Sequence, residues 1–134
     1  KVISELNREK IKLNITAVYS TKQVKMILNK INYKAKVIIS IFVGRLADNG
    51  HDPVKMIKDC VKLTRNYSNV KILWASTREP YNYIQAKKLG CQIITAPPAI
   101  VEKIENFSPI SDKKLTILTV KNFLYDSNLS KFKL

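Results

Sequence analysis

Two of the four arginines in this sequence follow a serine at the end of an apolar run, in Ser40-Ile41-Phe42-Val43-Gly44-Arg45 and in Ser76-Thr77-Arg78. A guanidinium offers a planar fork of donors that matches phosphate oxygens, and a hydroxyl adds a single donor. Two such forks with hydroxyls between them suit a small phosphate ester. Asn14 and Thr16 in the first apolar run, and Thr95 in the last, put further polar groups at comparable positions. The competing reading is that each arginine makes an ordinary surface ion pair and each serine fills a gap in a pleat. The residue pattern by itself leaves both open.

Other chemistries are easier to set aside. Cys60 and Cys91 are the only cysteines and form no CxxC. Neither a disulfide scaffold nor a zinc site is expected, and both read as small core residues. His51, the single histidine, follows Asp48-Asn49-Gly50 and reads as a solvated turn residue rather than a catalyst. With glycine only at positions 44, 50 and 90, the chain holds neither GxGxxG nor a P-loop. Dinucleotide and nucleoside triphosphate sites drop out, and no cofactor or metal is expected.

The charge points elsewhere at first. Lysine and arginine number 24 against 10 acidic residues, a net charge of +14. Such a balance favours anionic partners. Yet the cations are mostly lysines spread along the chain, and the nearest approaches to clusters are Lys10 with Lys12, Lys113 with Lys114, and Lys131 with Lys133. Base readout and phosphate clamps prefer arginine. A solvated lysine-rich surface is therefore expected, and nucleic acid is not expected as a partner.

Four runs rich in Ile and Val must position the polar groups: Ile11–Tyr19, Lys36–Val43, Val70–Ser76 and Gln92–Ala96. They lack clean polar alternation, as expected for parallel strands covered by helices. A helical stretch follows each. The first has Ser20 or Thr21 as N-cap and a stripe of Val24, Ile27, Leu28 and Ile31. The second opens at Asp52-Pro53, with Val54, Ile57 and Val61 as its stripe, widened by Met56, Cys60 and Leu63. The third runs from near Glu79-Pro80 to Gly90; a short helix (Ala99–Glu105) and a longer one around Lys114–Tyr125 follow the last run. Repeated β-α units predict a parallel α/β fold. An open doubly wound sheet and part of a β/α barrel both fit. In either, chemistry sits at the carboxyl ends of the strands. Trp74 reads as packing.

A length of 134 residues with 46% hydrophobic residues supports one domain with a real core. No apolar run approaches the roughly 20 residues that cross a bilayer, and the opening residues carry no signal-peptide core. A soluble, cytoplasmic protein is expected.

Several segments resemble the transaldolase family, which includes the fructose 6-phosphate aldolases. They are Ile11-Lys12-Leu13-Asn14-Ile15-Thr16, Ser40-Ile41-Phe42-Val43-Gly44-Arg45-Leu46, Ala75-Ser76-Thr77-Arg78, Ile94-Thr95-Ala96-Pro97-Pro98 and Ser108-Pro109-Ile110-Ser111-Asp112-Lys113, in collinear order. The resemblance implies a class I aldolase on a (β/α)8 barrel. There a lysine forms a Schiff base with a ketose phosphate and passes a dihydroxyacetone unit to an aldose phosphate, without metal or organic cofactor. By the same resemblance, Asn14 and Thr16 are catalytic, holding substrate hydroxyls and a water. Ser40, Arg45, Ser76 and Arg78 hold the substrate, the arginines gripping its phosphate. Phe42 and Tyr19 line the pocket, and Phe42 is the transaldolase form where the aldolases carry Tyr. Ala17-Val18-Tyr19 looks more like the aldolase branch.

Ile41 departs from the family, which usually has Pro there, and predicts a local difference at one strand end. The family's Schiff-base lysine lies on a strand ahead of the helix where this chain begins, and Lys1 matches that helix. Because a full barrel needs roughly 200 to 250 residues, residues 1–134 read as a single domain forming the last four βα units of a TIM-type barrel. Expected partners are sugar phosphates, and either further copies of the chain in a homo-oligomer or the missing N-terminal half-barrel. The rival function is a non-catalytic or truncated module that binds sugar phosphate or a partner subunit. A basic nucleic-acid-binding domain ranks third.

Overall fold

Among the described residues, four strands line up in the order in which the chain supplies them, all parallel: β1 (Leu13–Val18), β2 (Val37–Phe42), β3 (Val70–Ala75) and β4 (Ile93–Ile94). The computed structural model describes residues 1–33 and 35–130, so Lys131 and Lys133 lie outside the described residues. The helices are α1 (Val2–Arg8), α2 (Thr21–Leu28), α3 (Val43–Asp48), α4 (Pro53–Thr64), α5 (Tyr81–Lys88), α6 (Pro98–Glu105) and α7 (Asp112–Ser130). A doubly wound sheet reverses its strand order at a switch point. This sheet does not reverse, so it is wound as a β/α barrel is.

Alternation along each strand divides the sheet into two faces. Val37, Ile39 and Ile41 of β2 and Val70, Ile72 and Trp74 of β3 are buried, together with Val24, Ile27, Ile57 and Cys60 from the helices. The core is this layer between sheet and helices. Asn14, Thr16, Ser40, Phe42, Leu73 and Ala75 belong to the other face. Trp74 packs as expected, 1% exposed, although its indole N–H finds no partner among the described residues.

Capping chemistry sets the helix starts. Ser20 Oγ accepts from the Gln23 N–H (3.2 Å), and Gln23 Oε1 reaches back to accept from the Tyr19 N–H (2.8 Å), a two-way clamp at the start of α2. Asp52 caps α4 by accepting from the Val54 N–H (2.9 Å), with Pro53 in the first turn. Gly90, at φ 83°, ends the turn after α5.

Three expectations need correction. Val54 is exposed; the buried face of α4 is Ile57, Cys60 and Thr64. Thr64 is tolerated there because its hydroxyl donates back to the Cys60 carbonyl (3.1 Å). The fourth strand is two residues long. The Gln92 side chain accepts from the Ile72 N–H (2.8 Å) just before it, and prolines at 97 and 98 cannot extend a ladder. Finally, α3 follows β2 without a loop, so Arg45 stands on a helix.

Candidate functional site

The carboxyl ends of β1, β2 and β3 border a cleft of about 390 Å³. It brings together Asn14 and Thr16 from β1, Ser40 and Phe42 from β2, Arg45 from α3, and Ser76 and Arg78 after β3; Leu73, Ala75 and Thr95 complete the lining. Tyr19 is not in that lining. Its ring meets the ring of Phe42, which does line the cleft, edge-on at 5.8 Å. A larger hollow of about 580 Å³ opens at the amino-terminal end of the sheet, rimmed by Lys12, Lys36 and Lys71. Its position is opposite to where parallel α/β folds do their chemistry.

Backbone geometry at the cleft is unusual in two places. Ser76 has φ 64° and Ala17 has φ 56°, both in the left-handed region that side chains other than glycine's rarely adopt. Each costs about 1–3 kcal/mol, the kind of strain that clusters at ligand sites. The pairing of β1 with β2 slips between Ile15 and Val18, around Ala17. Gly44 supplies the third local device. A Cβ there would run into the Ser76 carbonyl oxygen, so only glycine lets α3 come this close to the end of β3.

Hydrogen bonds then fix the polar side chains. Ser40 Oγ donates to Asn14 Oδ1 at 2.6 Å, tying β2 to β1 across the cleft floor. Thr77 Oγ1 donates to the Thr95 carbonyl at 2.6 Å. Asn82 Oδ1 accepts from the Arg78 and Glu79 N–H groups at 3.0 and 3.2 Å, so α5 holds the segment that carries Arg78.

The two arginines differ. Arg45 forms no ion pair among the described residues; its guanidinium carbon stands 5.0 Å from the centre of the Phe42 ring. Arg78 is paired with Asp48. Its Nε donates to Oδ2 at 3.0 Å, and its Nη2 donates to the same oxygen. These hydrogen bonds hold its pKa above the ordinary arginine value. The competing expectation of a surface ion pair thus holds for Arg78, which lines the cleft all the same.

Away from the cleft, burial, with a smaller push from Asp59, raises the Cys60 thiol to about 12. Burial, and then Cys60, does the same for Cys91. Neither is an activated nucleophile. His51 is exposed, and among the described residues no cluster of His, Cys, Asp or Glu could hold a metal ion. Among the described residues, no helix is long and apolar enough to cross a membrane.

Sequence reasoning missed Asp48, Thr77 and Asn82 as shapers of this site. Only Asn82 carried a local signal, an amide side chain in the first turn of a helix.

Comparison with known proteins bears on what the cleft is for. The family model described as Transaldolase/Fructose-6-phosphate aldolase matches residues 1–132. The chain belongs to that family. Its fold is therefore α/β, four βα units of a TIM-barrel family. Similar proteins include a "Probable transaldolase" from Caldicellulosiruptor saccharolyticus, 34% identical over 128 residues that make up 94% of this chain and 54% of that protein. Another, from Nitrosopumilus maritimus, is 34% identical and covers 94% of this chain and 53% of its own length. A third, from Thermoanaerobacter sp., is 31% identical over 134 residues, 99% of this chain and 53% of its own. The chain spans about half the length of these relatives.

Proposed function

We propose that this chain supplies the substrate-holding half of a transaldolase-type active site, as the last four βα units of the barrel. One observation carries the reading: Arg45, Arg78, Ser40, Ser76, Asn14 and Thr16 border a single cleft at the carboxyl ends of neighbouring strands. In this reading Arg45 and Arg78 grip the phosphate of a sugar phosphate. Ser76 assists them, and Ser40 contacts the substrate beside the Asn14 amide. Asn14 and Thr16 orient the carbonyl-derived hydroxyls and the water that exchanges protons with them, and Phe42 closes one wall. The reaction is transfer of a dihydroxyacetone unit through a lysine Schiff base. No lysine lines this cleft among the described residues, so the nucleophile is assigned to another part of the barrel.

Two measurements test this. In the full-length protein, Arg45→Ala should raise KM for fructose 6-phosphate strongly and leave turnover of unphosphorylated dihydroxyacetone nearly untouched. A charge-assisted contact is worth about 1.5–3 kcal/mol, roughly ten- to over a hundredfold. Equal losses on both substrates would mean that the arginine holds the fold. The 134-residue chain alone should yield no borohydride-trapped adduct with fructose 6-phosphate; an adduct on any of its lysines would refute the assignment of the nucleophile elsewhere.

The absence of a lysine from the described cleft also favours a second reading, a non-catalytic module that binds sugar phosphate or a partner subunit. Under it the full-length protein gives no adduct either. In both readings the sheet edges at β1 and β4 call for completion by further copies of the chain or by the other half of the barrel.

A further inference from the structure

We propose that Asp48 is a positioning residue for the phosphate grip, fixing which edge of the Arg78 guanidinium faces the cleft. The inference rests on the reading of Arg45 and Arg78 as phosphate ligands. Asp48 stands three residues after Arg45 on α3, so both lie on one side of a single short helix. Its carboxylate takes the side-on edge of Arg78: Nε lies 3.0 Å from Oδ2 and 3.3 Å from Oδ1, and Nη2 donates to Oδ2. The Nη1 donors are left for another ligand. Arg78 is thereby held from both ends, its backbone N–H by Asn82 and its head by Asp48. The helix that brings Asp48 is itself brought in by the Gly44 approach to the Ser76 carbonyl. One carboxylate therefore ties the helix that bears Arg45 to the head of Arg78.

Both partners are about half exposed, 51% for Arg78 and 48% for Asp48. An ion pair so exposed adds little to folding, so its removal should disturb binding without unfolding the protein. The charge arrangement agrees. Two arginines alone would attract any small anion, and the carboxylate offsets one of them, leaving recognition to geometry.

The test uses the full-length protein and reads dissociation constants for fructose 6-phosphate and for fructose, alongside Tm. Asp48→Ala should weaken fructose 6-phosphate about tenfold, the loss of one oriented charge-assisted contact. Fructose binding and Tm should hold, and Asp48→Glu should recover most of the loss. Unchanged or tighter binding of fructose 6-phosphate in Asp48→Ala overturns the inference, since the carboxylate would then be idle or a competitor. A fall in affinity for both sugars, or failure of Asp48→Glu to rescue, assigns Asp48 to the fold and overturns it too. Arg45→Ala separates the layers. If that change leaves fructose 6-phosphate binding intact, the phosphate reading itself fails; if it weakens binding and Asp48→Ala does not, only the positioning role fails.

Discussion

The first three strands with their helices and the C-terminal arm treat apolar residues in opposite ways. Between the sheet and α2 to α5, side chains such as Ile39, Ile57 and Ile72 are fully buried. No residue of α6 or α7 is. Along α7, Leu115, Phe123, Leu124 and Leu129 stand between 56% and 68% exposed. Composition does not distinguish the regions; the availability of an opposing surface does. Apolar side chains stabilise a fold only where they are covered, so α7 contributes little to this fold and offers a large surface for contact.

The greatest expected effect lies in the first region. Trp74→Ala should cost about 3–5 kcal/mol by chemical denaturation, because it empties a closed layer. The same change at Phe123 should stay within about 0.5 kcal/mol and instead shift association, read by sedimentation. Comparable losses at the two positions would erase the contrast. Gly44→Ala comes next, at about 1–3 kcal/mol. It forces α3 away from β3, so under the proposed function the affinity for sugar phosphate should fall with the stability. Preserved affinity would show that the cleft does not depend on that approach.

The smallest effect is chemical. Cys60 is 0% exposed and its thiol is raised from 9.0 to about 12. The folded protein should leave it unmodified by iodoacetamide at pH 8, with modification appearing only on unfolding. The sign follows from linkage: folding favours the neutral thiol, so its contribution is complete below pH 9.0 and disappears as the pH climbs towards 12. Ready alkylation of the native protein would show that α4 opens more easily than its packing implies.

Local signals were legible in the sequence, and long-range ones were not. Asp52-Pro53 and Gly90 announce helix ends through chemistry confined to a few neighbouring residues, and both hold. Helix α3 escaped notice because it starts on Phe42, which supplies no side-chain cap. Val54 has the right apolar character for the buried stripe but sits where α4 begins, at its solvent rim. Ser40, Arg45, Ser76 and Arg78 were recognisable as types and by resemblance. The Asp48 partner of Arg78 lies 30 residues away, and only the folded sheet brings the two together.

The sequential strand order bears on how the chain folds. Every ladder joins one strand to the next along the chain, so no pairing waits for a distant segment. The partners in the ladders still lie between 20 residues (Leu73 with Ile93) and 33 residues (Val37 with Val70) apart, so each pairing closes a helix-sized loop before its ladder forms. On a ribosome, the order of synthesis is also the order of pairing, so each strand emerges after the one it pairs with.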